Sequence, residues 1–167
     1  GTALDRSKFP KTMRVGHCYY ENVKLARPPF EGCGRYKVFS DMGYPRGRPC
    51  FYPSVHGLDS CYNAYPNATI LLVTRNATAW ASSVLRWRQG QLLNRWRRCD
   101  KFPRNGVDTA VAELEHFHNW HAANIRQFAS GHPSLTIIEV SLDDDDDVGQ
   151  QLEDRIGVDS QCFGHHS

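Results

Sequence analysis

Arg75 and Ser83 stand eight residues apart across a change of pattern, and their types suit a grip on a phosphate. The stretch ILLVTRNATAWASS, Ile70 to Ser83, runs as an apolar β-type segment to Thr74, turns at Arg75-Asn76, and reads as a helix from Thr78. A strand that delivers a basic residue and hydroxyls to the start of a helix suits an anion. Unpaired backbone N–H groups and the helix dipole face the charge, and a guanidinium takes two of its oxygens. Ser82 is the substitute hydroxyl if the helix starts one residue away. Asn76 suits the turn because its side chain tolerates unusual backbone angles.

Other residues could move protons or hold ions. Asp41 follows a short strand-like run and would emerge at the carboxyl edge of a sheet, where open α/β folds bind ligands. Partial desolvation there would raise its pKa toward a useful range for a base; the alternative is an Asp capping the turn before Gly43. His116, His118 and His121 cluster, with His118 and His121 neighbours on one helix face. No third ligand follows at a persuasive spacing, so no metal is expected. His121 lies on an apolar stripe, which reads as a hydrogen-bonded core histidine with an active-site role as the alternative. Arg86, Arg88, Arg95, Arg97 and Arg98, interleaved with Trp87 and Trp96, form either a solvated helix face or an attractor for an anionic acceptor. Asp143–Asp147 reads as a solvated loop, since it lacks the alternating oxygen ligands and glycine of a calcium loop.

The elements that would position these residues alternate. Strands are expected at Arg14–Cys18, Lys37–Ser40, Thr69–Thr74 and Leu135–Val140. The last two are nearly continuous in apolar character, as in a parallel sheet covered on both faces. Helices are expected from Ala79 to about Arg98, with Trp80, Val84 and Trp87 on one stripe, and from Asp108 to Ser130, with Leu114, Phe117, His121, Ile125 and Phe128 on another. Alternating strand and helix gives an α/β fold with right-handed crossovers. Ala26–Pro53, rich in proline, glycine and aromatics, reads as structured loops of the kind that recognise substrates.

Composition sets the outer bounds. The 167 residues, 40% hydrophobic and 23% charged, suit one globular domain. A net charge of +2 gives no reason to expect nucleic acid as a partner. No apolar run approaches the ~18 residues of a membrane span. The six cysteines, Cys18, Cys33, Cys50, Cys61, Cys99 and Cys162, form no CxxC pair. Their even count and the sequons at Asn67 and Asn76 are compatible with a secretory lumen; six buried free thiols in the cytoplasm is an equally open reading.

The pattern strand–Arg-Asn–x6–Ser resembles the 3′-phosphate-binding element of sulfotransferases that use 3′-phosphoadenosine 5′-phosphosulfate (PAPS). Further pieces resemble one branch of that family in the same order. They are KVFSDM (Lys37–Met42), LDSCYNAYPNATILLVTRNATAWASSV (Leu58–Val84), a helix with His121, a strand at Leu135–Val140, a short helix ending at Ile156-Gly157, and the tail CFGHH (Cys162–His166). The resemblance implies a three-layer P-loop-like parallel sheet flanked by helices, with PAPS as co-substrate and no metal. It implies Arg75 and Ser83 as ligands of the 3′-phosphate. Gly1 and Thr2 would be the remnant of the loop that binds the 5′-phosphosulfate. Asp41 falls where the family often carries its catalytic base, commonly a His. The late Arg-Lys-Gly loop of better-known members has no counterpart here.

If Gly1-Thr2 is the end of that loop, the chain is a single domain incomplete at its N-terminus. It would lack the loop lysine and the first, central strand, and any membrane anchor would lie in that upstream region. The expected activity is sulfuryl transfer to a hydroxyl or amine of a small molecule or glycan. The rival expectations are a P-loop phosphotransferase using ATP, which needs a Walker lysine and a magnesium-binding Asp not found here, and a truncated relative that only binds.

Overall fold

The segment expected to be the first strand is a helix. In the computed structural model, which describes residues 11–34, 38–40, 42–43, 50–99, 102, 109–143, 147–157 and 159, α1 spans Lys11–Lys24. Among its residues from 15 on, the buried positions are Gly16, Tyr19 and Asn22, spaced three apart on one helical face. Two of the three are glycine and asparagine, so hydropathy does not reveal the face. The described residues form two compact units. One falls within Gly1–Pro66 and Gln91–Arg104, the other within Asn67–Gly90 and Asn105–Ser167.

In the first unit, α1 is followed by the short helices α2 (Pro53–His56) and α3 (Leu58–Ala64). Buried Asn22 donates from Nδ2 to the carbonyls of Pro29 (3.0 Å) and Glu31 (2.8 Å), holding the turns that follow α1. The Cys18–Cys33 disulfide ties the same helix to the same turns. Tyr19 packs on Phe30 and Phe51, and its hydroxyl donates to the Gly57 carbonyl at 2.9 Å. Glycine is required where α1 meets neighbouring backbone: a Cβ on Gly16 would lie 2.6 Å from the Met42 carbonyl oxygen. Residues 38–40 are not a strand. Val38 is 65% exposed and Phe39 stacks on Phe30 at 3.9 Å, so side-chain packing rather than sheet pairing holds this run.

The second unit carries the sheet. β1 (Thr69–Thr74) and β2 (Thr136–Ser141) pair in parallel, from Thr69↔Thr136 to Thr74↔Ser141. Parallel pairing requires a long crossover. It is made through α4 (Ala77–Arg86), α5 (Gln91–Trp96) and α6 (Ala110–Ser130), with α5 in the first unit. Ile70 and Leu72 of β1 and Ile137 of β2 pack with Ala122 and Ile125 of α6. On that face Arg126 donates from Nε to Glu139 at 2.9 Å. On the other face Ile138 and Val140 pack with Leu152 and Val148 of α7 (Val148–Ile156). That second layer stops at β2: Leu71 and Val73 of β1 are 38% and 48% exposed. The mixed α/β class is as expected, with a sheet of two strands among the described residues.

The long helix expected from Ala79 to Arg98 is broken. A 3-10 turn at Trp87–Gly90 separates α4 from α5, with Arg88, Gln89 and Gly90 all at positive φ. The boundary between the two compact units falls at the same place, between Gly90 and Gln91. Trp87, expected on the buried stripe, is 44% exposed with the Arg88 guanidinium over its ring. No helix among the described residues is long and apolar enough to cross a membrane.

Candidate anion-binding turn

Strand, turn and helix follow one another at the β1–α4 junction as the sequence suggests, but Asn76 serves as a helix cap at an ordinary φ of -54° rather than through unusual backbone angles. Thr74 closes β1 by donating from Oγ1 to the Val140 carbonyl (3.2 Å), and its own carbonyl accepts from Leu142 N–H (2.9 Å). The strand end is therefore anchored on both sides of its last peptide. Asn76 is the N-cap of α4: its Oδ1 accepts from Ala79 N–H at 3.0 Å. That satisfies one of the donors a helix leaves open at its start. Arg75, held between anchored strand and capped helix, is half-buried. Its Nε is sealed from solvent and meets no hydrogen-bond partner among the described residues. A buried donor left unsatisfied costs about 1–3 kcal/mol, so the position favours any acceptor that can reach it.

Ser83 lies on α4, exposed, seven residues past Asn76 and four past Ala79, on the helix face that the cap begins. Ser82 beside it is half-buried. The inward face of α4, Ala81 and Val84, is buried, as is Leu114 on α6. Thr78 donates its hydroxyl to Glu115, and Trp80 stacks on Phe117 at 6.2 Å. Both contacts join residues 37 apart in sequence, so α4 and α6 run side by side in one direction.

Burial lowers the His121 pKa, with the nearby His118 acting the same way, so the ring is neutral at neutral pH. Its neighbours are aromatic: Phe117 lies 5.8 Å away, and His118 sits 5.2 Å from Trp80. A neutral imidazole can accept a proton, which keeps His121 available as a base. No group of three His, Cys, Asp or Glu among the described residues could hold a metal. Gly1, Thr2 and Asp41 lie outside the described residues. Cys61 is the free thiol among the described residues, and burial pushes its pKa up, so it is not a ready nucleophile.

Two acidic residues at this turn escape sequence reasoning. Asp143, expected in a purely solvated run, accepts from the Asn76 N–H. Glu115 is the other, through the Thr78 hydroxyl. Asp147, in the same acidic run as Asp143, caps α7, its Oδ1 accepting from Gln150 N–H at 3.0 Å. An anionic oxygen thus already rests at the start of α4, which fits the site's preference and also competes for it. The exposure of Arg86, Arg88 and Arg98 suits the solvated-face reading. Neither family models, nor curated proteins, nor solved structures give any match to this chain.

Proposed function

We propose that this chain belongs to a PAPS-dependent sulfotransferase and that its β1–α4 turn grips the 3′-phosphate. What carries the reading is the sealed, unpartnered Nε of Arg75 at a strand end, one residue before a capped helix. Arg75 would fork onto the phosphate, Ser83 would donate its hydroxyl, and the open end of α4 would supply N–H groups and dipole. To admit the phosphate, Asp143 would give up the Asn76 N–H. When bound, PAPS supplies the sulfuryl group and a phosphate leaving group. The acceptor hydroxyl or amine then needs a base, with Asp41 and His121 as the two candidates. The finer three-layer P-loop-like architecture belongs to this proposal. A further strand would pair beside β1, and its helix would cover the exposed Leu71 and Val73.

Calorimetry with adenosine 3′,5′-bisphosphate and ATP, on the chain extended by its native upstream sequence, tests the reading. Binding of the bisphosphate in preference to ATP is expected. Arg75→Ala should weaken it by about 3 kcal/mol, roughly a hundredfold, the worth of two charge-assisted hydrogen bonds. Undiminished affinity in that variant refutes the assigned role. Cooperative unfolding together with PAPS binding by the 167 residues alone would refute the need for a further strand. Binding without turnover in the extended chain would favour the purely binding relative.

A further inference from the structure

We propose that Asn67 carries an N-linked glycan while the second sequon, at Asn76, stays bare. The compartment comes first. Cys18 is bonded to Cys33 and Cys50 to Cys99, and such bonds form and persist in oxidising compartments such as the secretory lumen. This overturns the reading of six free thiols, and it is where Asn-x-Ser/Thr is modified. Both Asn67-Ala68-Thr69 and Asn76-Ala77-Thr78 satisfy the motif.

Their surroundings differ. Asn67 lies in the turn between α3 and β1, where Asn67 and Thr69 are both exposed. Among the described residues the Asn67 amide has no hydrogen-bond partner. The backbone beside it is fixed: the Ala68 carbonyl accepts from Thr136 N–H at 3.1 Å, and Thr69 pairs with Thr136. A bulky glycan there meets solvent and disturbs no ladder bond.

Asn76 and Thr78 are exposed as well, but this sequon is engaged at three points. Asn76 Oδ1 holds Ala79 N–H, the Asn76 N–H donates to Asp143, and the Thr78 hydroxyl donates to Glu115. The cap is local, and helical turns form within about a microsecond, so it competes early with any enzyme that needs the amide and hydroxyl in an open chain. In the modification, Asn67 Nδ2 bonds to C1 of an oligosaccharide carried on a polyprenyl diphosphate. The C1–O bond to phosphate breaks, the diphosphate leaves with its electrons, and the amide proton passes to the transferase.

The test uses full-length protein purified from the cells that make it, treated with peptide N-glycosidase in heavy-oxygen water. The peptide containing residue 67 should return as labelled aspartate, and that containing residue 76 as unlabelled asparagine. Asn67→Gln should remove the gel shift, as should Thr69→Ala, which leaves the asparagine in place; Asn76→Gln should keep it. A bare Asn67, a glycan on Asn76, or alkylation of Cys18 and Cys33 as free thiols in the native protein would each overturn the proposal.

Discussion

The two compact units are stabilised by different means. The first is stapled: Cys18–Cys33 and Cys50–Cys99 close loops of 15 and 49 residues, and Asn22, Tyr19 and a chain of aromatic rings hold the rest. The second has no disulfide among its described residues and relies on a parallel strand pair with α6 on one face and α7 on the other. The proposed phosphate grip sits wholly in this second unit. The first unit contains the loops expected to read an acceptor. Cross-links and buried polar contacts can hold loops in shape where regular structure is short, whereas a precise anion site needs the rigid ends of a strand and a helix.

The largest break in this contrast should come from opening Cys50–Cys99 with paired alanines. Loop closure over 49 residues is worth about 4 kcal/mol in the chain-entropy account. Hydrogen exchange should quicken throughout α1 and α3 while the β1–β2 ladder keeps its protection. Equal loss in the ladder would show that the units do not unfold separately.

A smaller effect is expected from Gly57→Ala. Its Cβ would lie 2.8 Å from the Tyr19 ring and 3.2 Å from Phe51, and such overpacking costs about 1–3 kcal/mol. Chemical denaturation should show a lowered midpoint, with exchange again faster in the first unit alone.

In the second unit, Asn76→Ala removes the α4 cap at a cost of about 1 kcal/mol, read from the same denaturation curve. It should also weaken bisphosphate binding, because the N-terminal turn of α4 would fray.

The smallest effect concerns pH. The folded-state pKa of His121 is lowered, so the unfolded chain binds its proton first as pH falls. His121 therefore adds stability above its unfolded pKa near 6.5, and this is lost as pH drops toward the folded value. His121→Phe should flatten the fall of stability as pH drops below about 6.5. An unchanged slope would mean that the ring is solvated.

Legibility follows the same division. The sequence pattern marks β1 at its true limits and β2 within one residue, because runs such as TILLVT carry their β character locally, although not which face is covered: Leu71 and Val73 are exposed. The Arg75–Asn76 turn and the α7 stop at Gly157, at φ 67°, are equally local. The first unit misleads because its determinants are distant in sequence. Gly16 is set by backbone at Met42, Asn22 by the carbonyls of Pro29 and Glu31, and Cys50 by Cys99. The same holds for Asp143, whose contact with Asn76 spans 67 residues.

By itself, then, the sequence determined a strand that hands Arg75 to a helix, since an apolar β-type run, a turn and a helical stretch are all encoded within a dozen residues. Tertiary structure alone decided that the Arg75 Nε is sealed without a partner and that a carboxylate waits at the helix start. It also decided which cysteines meet. Those outcomes depend on which distant segments share space, and local propensity holds no record of that.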